Sequence, residues 1–367
     1  MPVDALSVPP VEEAGDVATL LLAHYDANAR QLPWRAPPSS NAANPYAVWL
    51  SEIMLQQTTV AAVIPYFAKF TTLWPTVQDL ARADDGEVMA AWAGLGYYAR
   101  ARNLIACART VADDLGGVFP GTEEGLRALP GIGAYTAAAI AAIAFGRRAV
   151  VVDANVERVV SRLFAIDRPL PAARGEIYAA ADRITPGLRA GDFAQAMMDL
   201  GASLCSARRP VCLPCPLRIA CGAAAQGNPE AYPVKAPKRA KPVRQGSAWW
   251  IERDDHVWLI RRAAKGLLGG MRALPGSDWS VGAEPHLPVE GEWRWAAQPV
   301  RHVFTHFALD LSVARTCLTT VPDQLGQEGQ WWPIHRLEEA GLPTLFMRAA
   351  QAAMAMDGAA DEETMIG

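Results

Sequence analysis

Leu129-Pro130-Gly131-Ile132-Gly133 interrupts the helical pattern in the first half of this 367-residue chain. A short helix is expected before it, over residues 122–128, and a long Ala-rich helix after it, over 134–145, so the segment is predicted to form a tight hairpin. Its glycines permit the turn and let N–H groups at the start of the second helix approach a phosphate. An ordinary helix-connecting turn has the same pattern, so the hairpin alone leaves both interpretations open.

Helical patterning surrounds this hairpin on both sides. Between residues 17 and 227, apolar residues recur at intervals of three and four, which is typical of packed helices. Residues 228–245 lose this periodicity and combine four Pro with basic residues, which indicates a stiff, extended linker. We therefore expect a mostly α first domain over 17–227 and a boundary after it.

The chain beyond the linker has a different pattern. Apolar residues alternate at 248–252 and 257–261, on either side of an Asp-Asp turn, and again at 300–313, which predicts strands. Helical periodicity returns toward the end. The segment 246–350 is therefore expected to be an α+β domain, and the acidic residues 351–367 are expected to form a disordered tail.

The composition, 51% hydrophobic and 20% charged, is that of a globular protein with two or three domains. The most apolar helical run, 137–145, is far too short to cross a membrane, and the first 16 residues do not resemble a secretory signal, so we expect a cytosolic protein with no membrane partner. The net charge of −4 hides a basic segment, 205–245, which carries eight Lys or Arg and one acid. Such a segment is a candidate surface for nucleic acid, although solvated faces are also often charged.

Four cysteines within that segment are spaced like metal ligands. Six, two and five residues separate Cys205, Cys212, Cys215 and Cys221, and prolines stiffen the turns between them. Thiolates this close together suit an iron–sulfur cluster or zinc, and their spacing does not separate the two. Disulfides are the alternative, but a chain with no secretory signal is not expected in an oxidising compartment.

Two carboxylic acids are candidates for acid–base chemistry. Glu52 is expected on a helix opened by Pro45, and its neighbours one turn away are mainly apolar, so its carboxyl should be partly desolvated and retain a proton near neutral pH. Asp153 precedes a helix and is an obvious N-cap, where N–H groups favour the charged carboxylate. Cleavage of a glycosidic bond uses such a pair. A Glu that pairs with Arg and an Asp that only caps a helix are the simpler alternatives.

Paired aromatics in Gly94-Leu95-Gly96-Tyr97-Tyr98-Ala99-Arg100 precede a helix rich in Arg. Aromatic and Arg side chains in this arrangement can enter a base stack or bind phosphates. Tyrosines that only pack the start of the helix fit the same pattern.

These motifs occur together in the order seen in the helix-hairpin-helix DNA glycosylases. The series runs through Leu32-Pro33-Trp34-Arg35, the Glu52 helix, Gly94–Tyr98, the Leu129–Gly133 hairpin, Val152–Val156 and the four cysteines. Within that superfamily the chain resembles the MutY-type adenine DNA glycosylases over nearly all of residues 20–221. The second domain resembles the MutT-like (Nudix-fold) domain of the same proteins.

The resemblance implies a multidomain fold: a mostly α helix-hairpin-helix core with a cluster loop over 205–221, joined to an α+β MutT-like domain. It implies a [4Fe–4S] cluster on the four cysteines and a monomer that acts on double-stranded DNA. The implied reaction removes adenine mispaired with 8-oxoguanine or guanine. Glu52 would protonate the adenine ring, Asp153 would stabilise the sugar cation, and Tyr135 and Asn155 would complete the site. The implied substrate and DNA contacts are Trp34, Arg35, Leu55, Gln57, Thr58, Tyr97, Gly131, Gly133, Gln195, Phe304, Thr305 and His306.

Tyr135 distinguishes the branches of this superfamily. The endonuclease III branch has a lysine at this position, which acts as the nucleophile for strand cleavage, so its replacement by Tyr135 implies a monofunctional enzyme that leaves an abasic site. An endonuclease III-like glycosylase and lyase acting on oxidised pyrimidines is the first alternative. A non-catalytic DNA-binding protein is the second, although a scaffold needs neither Glu52 nor Asp153.

The loop Arg301-His302-Val303-Phe304-Thr305-His306-Phe307 resembles the segment by which MutY-type enzymes sense 8-oxoguanine. Thr305 replaces the expected serine, which keeps the hydroxyl and adds a methyl group. The acids of this domain do not form the Glu-rich pattern of the metal-dependent MutT hydrolases. We therefore interpret residues 246–350 as a recognition module.

Overall fold

The computed structural model describes residues 14–40, 43–237, 241–263, 266–282, 287–288, 291–304, 306–319 and 328–356. Its contacts divide the chain into two units, with the boundary between Pro237 and Lys238. Of the predicted disordered tail, 351–367, residues 351–354 instead belong to a helix, Thr344–Met354, in which Ala353 is buried, and residues 357–367 lie outside the described residues. In the described part of the chain, no helix is both long enough and apolar enough to cross a membrane.

The first unit is built from helices, as predicted from its periodicity. In chain order they are α1 Ala14–Asn28, α2 Pro45–Leu55, α3 Val60–Leu73, α4 Val77–Arg82, α5 Asp85–Trp92, α6 Tyr98–Arg109 with a π-helical turn at Thr110–Asp114, α7 Glu123–Arg127, α8 Ala134–Phe145, α9 Ala154–Leu163, α10 Arg174–Ile184, α11 Ala190–Ala202 and α12 Gly222–Ala225. The mostly α first domain is thus confirmed.

Local sequence determines where the helices that carry the candidate residues begin. Pro45 is the first residue of α2, and the side chain of Asn44 accepts a hydrogen bond from the Tyr46 N–H at 2.9 Å. Asp153 caps α9 by accepting from the Val156 N–H at 2.7 Å. These caps fix the first turn of each helix, and with it the direction in which the candidate side chains project.

The hairpin between α7 and α8 depends on one glycine conformation. Gly131 has φ +74°, and a Cβ added there would lie 2.6 Å from Cβ of Asn103. Gly133, the N-cap of α8, has φ −86° and open space where a Cβ would be. The hairpin therefore needs glycine at the first position for folding, but not at the second.

Two hydrophobic clusters form the interior of the helical unit. The first contains buried residues of α2 to α8, such as Trp49, Phe70 and Trp92. The second contains residues of α1 and α9 to α11 and includes partly buried Cys205, Cys215 and Cys221 at its edge. Helices α2 and α8 belong to the first cluster and α9 to the second, so a cavity lined by these three helices lies where the two clusters meet.

The segment that we interpreted as a linker packs partly against the helical unit. Pro229–Ala231 form a short 3₁₀ turn, and Leu170 exchanges backbone hydrogen bonds with Val234 and Ala236. The first strand of the second unit begins at Val243. Pro-rich sequence has no periodicity whether it is free or held by such contacts, so the pattern could not reveal them.

The second unit contains a mixed sheet in its described part. Its strands are β1 Val243–Arg253, β2 His256–Arg261, β3 Arg272–Ala273, β4 Arg294–Trp295, β5 Val300–Val303, β6 Ala308–Cys317 and β7 Gly329–Pro333. Strands β1 and β6 run parallel over ten residue pairs, Val243↔Ala308 to Glu252↔Cys317, and the other pairings are antiparallel. The predicted α+β character is confirmed.

Strand β1 is buried on both faces because different clusters cover its two sides. Ala248 and Trp250 join the cluster formed with the C-terminal helix α13, Thr344–Met354, whereas Trp249 and Ile251 join a smaller cluster on the opposite face. This alternation follows the two-residue period of a strand.

Candidate active site

One cavity of about 520 Å³ in the helical unit collects most of the predicted catalytic and DNA-contact residues. It is lined by α2, α8, the start of α9, α11 and the segment before α2. Ten predicted residues line it: Trp34, Arg35, Glu52, Leu55, Gln57, Thr58, Tyr135, Asp153, Asn155 and Gln195. Residues more than 160 positions apart in sequence thus surround one space, which is large enough for a nucleobase.

Glu52 is a buried carboxyl in the wall of this cavity. Only 7% of the residue is exposed, and burial raises the pKa of its carboxyl from 4.5 to about 7. The Tyr135 hydroxyl donates a hydrogen bond to it, which opposes the rise, as does the charge of Arg35, while the charge of Asp153 adds to the rise. The predicted desolvation of Glu52 therefore agrees with its environment, and the group can hold a proton near neutral pH.

Tyr135 lies beside Glu52 in the same cavity. It is one residue into α8, directly after the hairpin, and burial together with the nearby Glu52 and Asp153 raises the pKa of its phenol well above the usual value. The phenol therefore remains neutral and acts as a hydrogen-bond donor to Glu52. No lysine lines the cavity among the described residues.

Asp153 presents its carboxylate at the N-terminus of α9. Its Oδ1 accepts from the Val156 N–H at 2.7 Å, and its Oδ2 accepts from Nδ2 of Asn155 at 2.9 Å. Two N–H donors and the positive end of the helix suit a charged carboxylate. The Asp153 side chain can therefore both cap α9 and present a carboxylate to the cavity.

Asn155 also connects this carboxylate to the cysteine loop. Its Oδ1 accepts from Nη2 of Arg158 at 2.9 Å, and Nε of Arg158 donates to the carbonyl oxygen of Cys205 at 2.9 Å. Arg158 was not predicted, although it lies on α9 one turn after Ala154. A chain of hydrogen bonds thus runs from the first cysteine to Asp153.

Asp199 and Arg30, which the sequence analysis did not predict, form a cluster of charges with the predicted Arg35 beside this cavity. Asp199 on α11 accepts hydrogen bonds from the guanidinium groups of both Arg30 and Arg35. Arg30 and Arg35 both line the cavity. The spacing of Gln195 and Asp199, four residues apart on one helix, was the only signal in the sequence that could have pointed to Asp199.

The mouth of the cavity contains Gln57 and Thr58, which follow α2. Gln57 is exposed and has φ +57°, and Tyr97 is 60% exposed and has φ +50°. Tyr97 does not line the cavity. Arg100 connects the two regions, because its guanidinium donates to the carbonyl of Met54 at 3.1 Å and lies 5.3 Å from the Tyr97 ring. Two residues in the strained left-handed region thus project from neighbouring turns.

The hairpin glycines, Gly131 and Gly133, are also outside the cavity lining. They belong to the turn that precedes α8, the helix that carries Tyr135.

The four cysteines surround a separate space of about 30 Å³. All four are free thiols that line it together with Arg162 and Arg218. Arg162 is 1% exposed, and its Nη1 is 3.3 Å from Sγ of Cys205. Among the described residues, no group of three or more His, Cys, Asp or Glu is arranged to share a single metal ion.

The recognition-loop residues belong to the second unit. The Phe304 ring packs among Trp279, His302 and Phe307, with ring centroids 4.6–5.7 Å apart, whereas His306 is exposed. Burial lowers the pKa of His302. Thr305 lies outside the described residues.

Comparison with known proteins agrees with this geometry. The sequence profile of the HhH-GPD superfamily of base excision DNA repair proteins matches residues 50–181, and that of the NUDIX domain matches 247–352. Among solved structures, a thermostable thymine-DNA glycosylase is 28% identical, with a TM-score of 0.52 over 59% of this chain and 98% of that chain. The helix-hairpin-helix core and the Nudix-fold second domain are therefore confirmed.

Curated relatives extend the similarity across both units. The adenine DNA glycosylase of Homo sapiens is 35% identical over 82% of this chain and 68% of its own length. The adenine DNA glycosylase of Rattus norvegicus is 46% identical over 80% of this chain and 69% of its own length. With one cavity that joins Glu52 and Asp153, and with relatives that match both units, the chain belongs to the adenine DNA glycosylase family.

Proposed function

We propose that this protein hydrolyses the N-glycosidic bond of adenine mispaired with 8-oxoguanine or guanine in duplex DNA. The observation that carries the proposal is the pair of unlike carboxyl groups in one cavity. Glu52 is buried and its pKa is raised to about 7, whereas both oxygens of Asp153 accept hydrogen bonds from N–H donors. The adenine must leave the base stack to reach them, and unstacking costs least at a mispair.

The two groups have complementary roles in this reaction. Protonated Glu52 donates its proton to a ring nitrogen of adenine, which makes the base a better leaving group, and a positioned acid of this kind contributes roughly 10²–10⁴-fold. Asp153 carries a negative charge where the sugar develops oxocarbenium character. Tyr135 orients Glu52, and Asn155 orients Asp153.

Water completes the reaction and leaves an abasic site. Strand cleavage through a Schiff base needs an amine, and Tyr135 occupies the position where a lysine would supply it. We therefore propose a monofunctional glycosylase.

Residues outside the cavity are proposed to hold the DNA. Gln57 and Tyr97 enter the base stack, the hairpin with Gly131 and Gly133 binds the backbone, and Trp34, Arg35, Leu55, Thr58 and Gln195 surround the extruded adenine. In the second unit, His306 and the neighbouring Phe304 are proposed to contact the 8-oxoguanine. The exposure of Gln57, Tyr97 and His306 supports these assignments.

The four cysteines fit the [4Fe–4S] cluster that this family implies. Four thiolates on one small cavity are the donor set of such a cluster. When bound, the cluster supplies a rigid crosslink, and Arg208, Arg209 and Arg218 of the same loop bind phosphates.

Replacement of Cys212 by Ser tests this assignment. We expect lower iron content, loss of the visible absorption of the cluster and weaker binding of duplex DNA. Elemental analysis that found zinc in place of iron in the unmodified protein would contradict the iron–sulfur assignment.

The proposed reaction is tested by single-turnover adenine release from duplexes with A opposite 8-oxoguanine, G, C or T. Release confined to the first two duplexes, with strand breaks only after hot alkali, supports a monofunctional adenine glycosylase. Nicking of oxidised pyrimidines without alkali would instead favour an endonuclease III-like lyase. DNA binding with no base release would favour a non-catalytic protein.

A further inference from the structure

Asp199 is the centre of a buried network of charges beside the candidate active site. Its Oδ2 accepts from Nη1 of Arg35 at 2.7 Å and from the backbone N–H of Arg30 at 3.2 Å. Its Oδ1 accepts from Nη2 of Arg35 at 2.9 Å and from Nε of Arg30 at 2.6 Å. One carboxylate thus satisfies two guanidinium groups, and it binds Arg35 through a two-pronged fork, which fixes both position and orientation.

The network connects distant parts of the chain. Asp199 is near the end of α11, whereas Arg30 and Arg35 lie in the irregular segment between α1 and α2. That segment also carries Trp34, which is buried and lines the cavity. Because the segment has no helix or strand of its own, the bonds to Asp199 are what hold its two cations in place.

Arg35 is more deeply enclosed than its partner. Its side chain is 7% exposed, against 35% for Arg30, and it lines the same cavity as Glu52. The groups whose charge or hydrogen bonds act on Glu52 are Tyr135, Asp153 and Arg35. Tyr25 faces the network from α1, and burial raises the pKa of its phenol to about 12, so it remains neutral.

We propose that Asp199 is a positioning residue of the adenine-release reaction: it orients Arg35 toward the cavity and balances the charge that Arg35 would otherwise exert on Glu52. This inference rests on the proposed function, because it assigns a task to Asp199 only if Glu52 is the acid. Asp199 itself does not line the cavity.

The balance has a defined direction. An unbalanced Arg35 cation beside Glu52 would stabilise the ionised carboxylate and lower its pKa. Glu52 would then lose its proton at a lower pH, and a smaller fraction of the enzyme would hold the acid form at neutral pH. Asp199 therefore holds the Arg35 cation in position while Glu52 keeps its proton at neutral pH.

The test is the pH dependence of single-turnover adenine release from a duplex with A opposite 8-oxoguanine. In Asp199→Asn, the amide keeps the shape of the carboxylate side chain but loses its negative charge. We expect the pH at which the rate begins to fall to move down by about one unit, with release about tenfold slower at pH 8 and much closer to the wild type at pH 5.5. The matched control is Asp192→Asn on the same helix as Asp199, which breaks the 2.9 Å ion pair with Arg189, the N-cap residue of α11, and should leave the profile unchanged.

A uniform loss of rate at every pH would overturn the proposal, since a purely structural defect lowers the rate without moving the pH profile. A fall in rate that begins at the wild-type pH or higher would overturn it as well. Asp199→Asn leaves buried Arg35 and the more exposed Arg30 without their carboxylate, so the folded fraction is checked by circular dichroism. The double variant Arg35→Gln, Asp199→Asn removes the cation beside Glu52 and is expected to restore the wild-type inflection or raise it. An inflection below the wild type in the double variant would also overturn the proposal.

Glu52→Gln separates this inference from the proposed function. Undiminished adenine release in Glu52→Gln would reject the function itself. Loss of release in Glu52→Gln, together with a wild-type profile in Asp199→Asn, would reject only the role of Asp199.

Discussion

Among single residues, Glu52 suits the proposed acid catalysis but lowers the stability of the folded protein as pH rises. Its carboxyl has a pKa of about 7 in the folded protein against 4.5 ordinarily. The folded state therefore binds more protons than the unfolded state between these values, so stability falls as pH rises through this window. Above pH 7 the folded protein contains a buried charge whose removal would stabilise it.

We therefore predict that Glu52→Gln stabilises the protein at pH 8. The neutral amide has the shape of the protonated acid and avoids a net cost of about 3 kcal/mol for the buried charge, which follows from the shift in pKa. At about pH 3.5 and below, where Glu52 is almost fully protonated in both states, the variant and the wild type should be equally stable. Denaturant unfolding at the two pH values measures the difference, and equal stability at pH 8 would contradict the raised pKa.

The rate of adenine release should depend on the same group. As pH rises above about 7, Glu52 loses the proton that it donates, so the rate should fall by about a factor of ten per pH unit. A single-turnover profile that stays flat from pH 6 to 9 would mean that Glu52 is not the acid.

At the scale of elements, the hairpin between α7 and α8 contains two glycines with different requirements. Gly131 has a left-handed backbone and is crowded by Asn103, whereas Gly133 has an ordinary backbone and open space beside it. The sequence shows two similar glycines. Their difference is visible only when the turn is closed against α6, which carries Asn103.

Gly131→Ala is predicted to destabilise the helical unit by at least about 1–2 kcal/mol, because a side chain in the left-handed region is strained and its Cβ would overlap Asn103. Gly133→Ala should leave the melting temperature nearly unchanged but weaken binding to duplex DNA, since its methyl group would separate the backbone from a phosphate. Thermal unfolding and filter binding of both variants measure this. Equal destabilisation by the two substitutions would contradict the conclusion that only Gly131 is required for folding.

Helix α9 connects the cysteine loop to the active site through Arg158. We predict that Arg158→Gln slows adenine release by at least about tenfold, because Asn155 loses the donor that orients it and Asp153 then loses a defined partner. Arg174→Gln is the control, since Arg174 lies on α10 and forms an exposed ion pair with Glu157 of α9. A comparable loss of rate in the control would mean that α9 responds to any change of charge.

At the scale of the whole molecule, the chain consists of two units that each have their own hydrophobic clusters. The cavity with Glu52 and Asp153 belongs entirely to the first unit. The proposed sensor of 8-oxoguanine belongs to the second. Chemistry and recognition of the opposite base are thus assigned to separate units.

We predict that a protein that ends at Pro237 folds and still releases adenine opposite G, since it retains both helical clusters and the cavity. Its preference for 8-oxoguanine over G as the opposite base should be reduced. Single-turnover rates on the two duplexes give the ratio for the full chain and the shortened one. An unchanged ratio would show that the second unit does not sense 8-oxoguanine.

The sequence by itself determined the helical first domain, the α+β second domain and the family. Those conclusions depend on short-range patterns: periodicity, the Pro-Gly turn, the spacing of Cys205 to Cys221 and the caps at Pro45 and Asp153. Each of these is read within about twenty residues, where helix geometry and turn chemistry decide the outcome.

The tertiary structure alone decided which distant groups share an environment. Asp199 meets Arg30 and Arg35 across more than 160 positions, and Arg158 reaches Cys205 across 47. Contacts of this kind leave no periodic signal, because an ion pair constrains only two positions and its partner is set by how the helices pack. The same packing buries Glu52, so the desolvation that makes it an acid is a property of the folded protein.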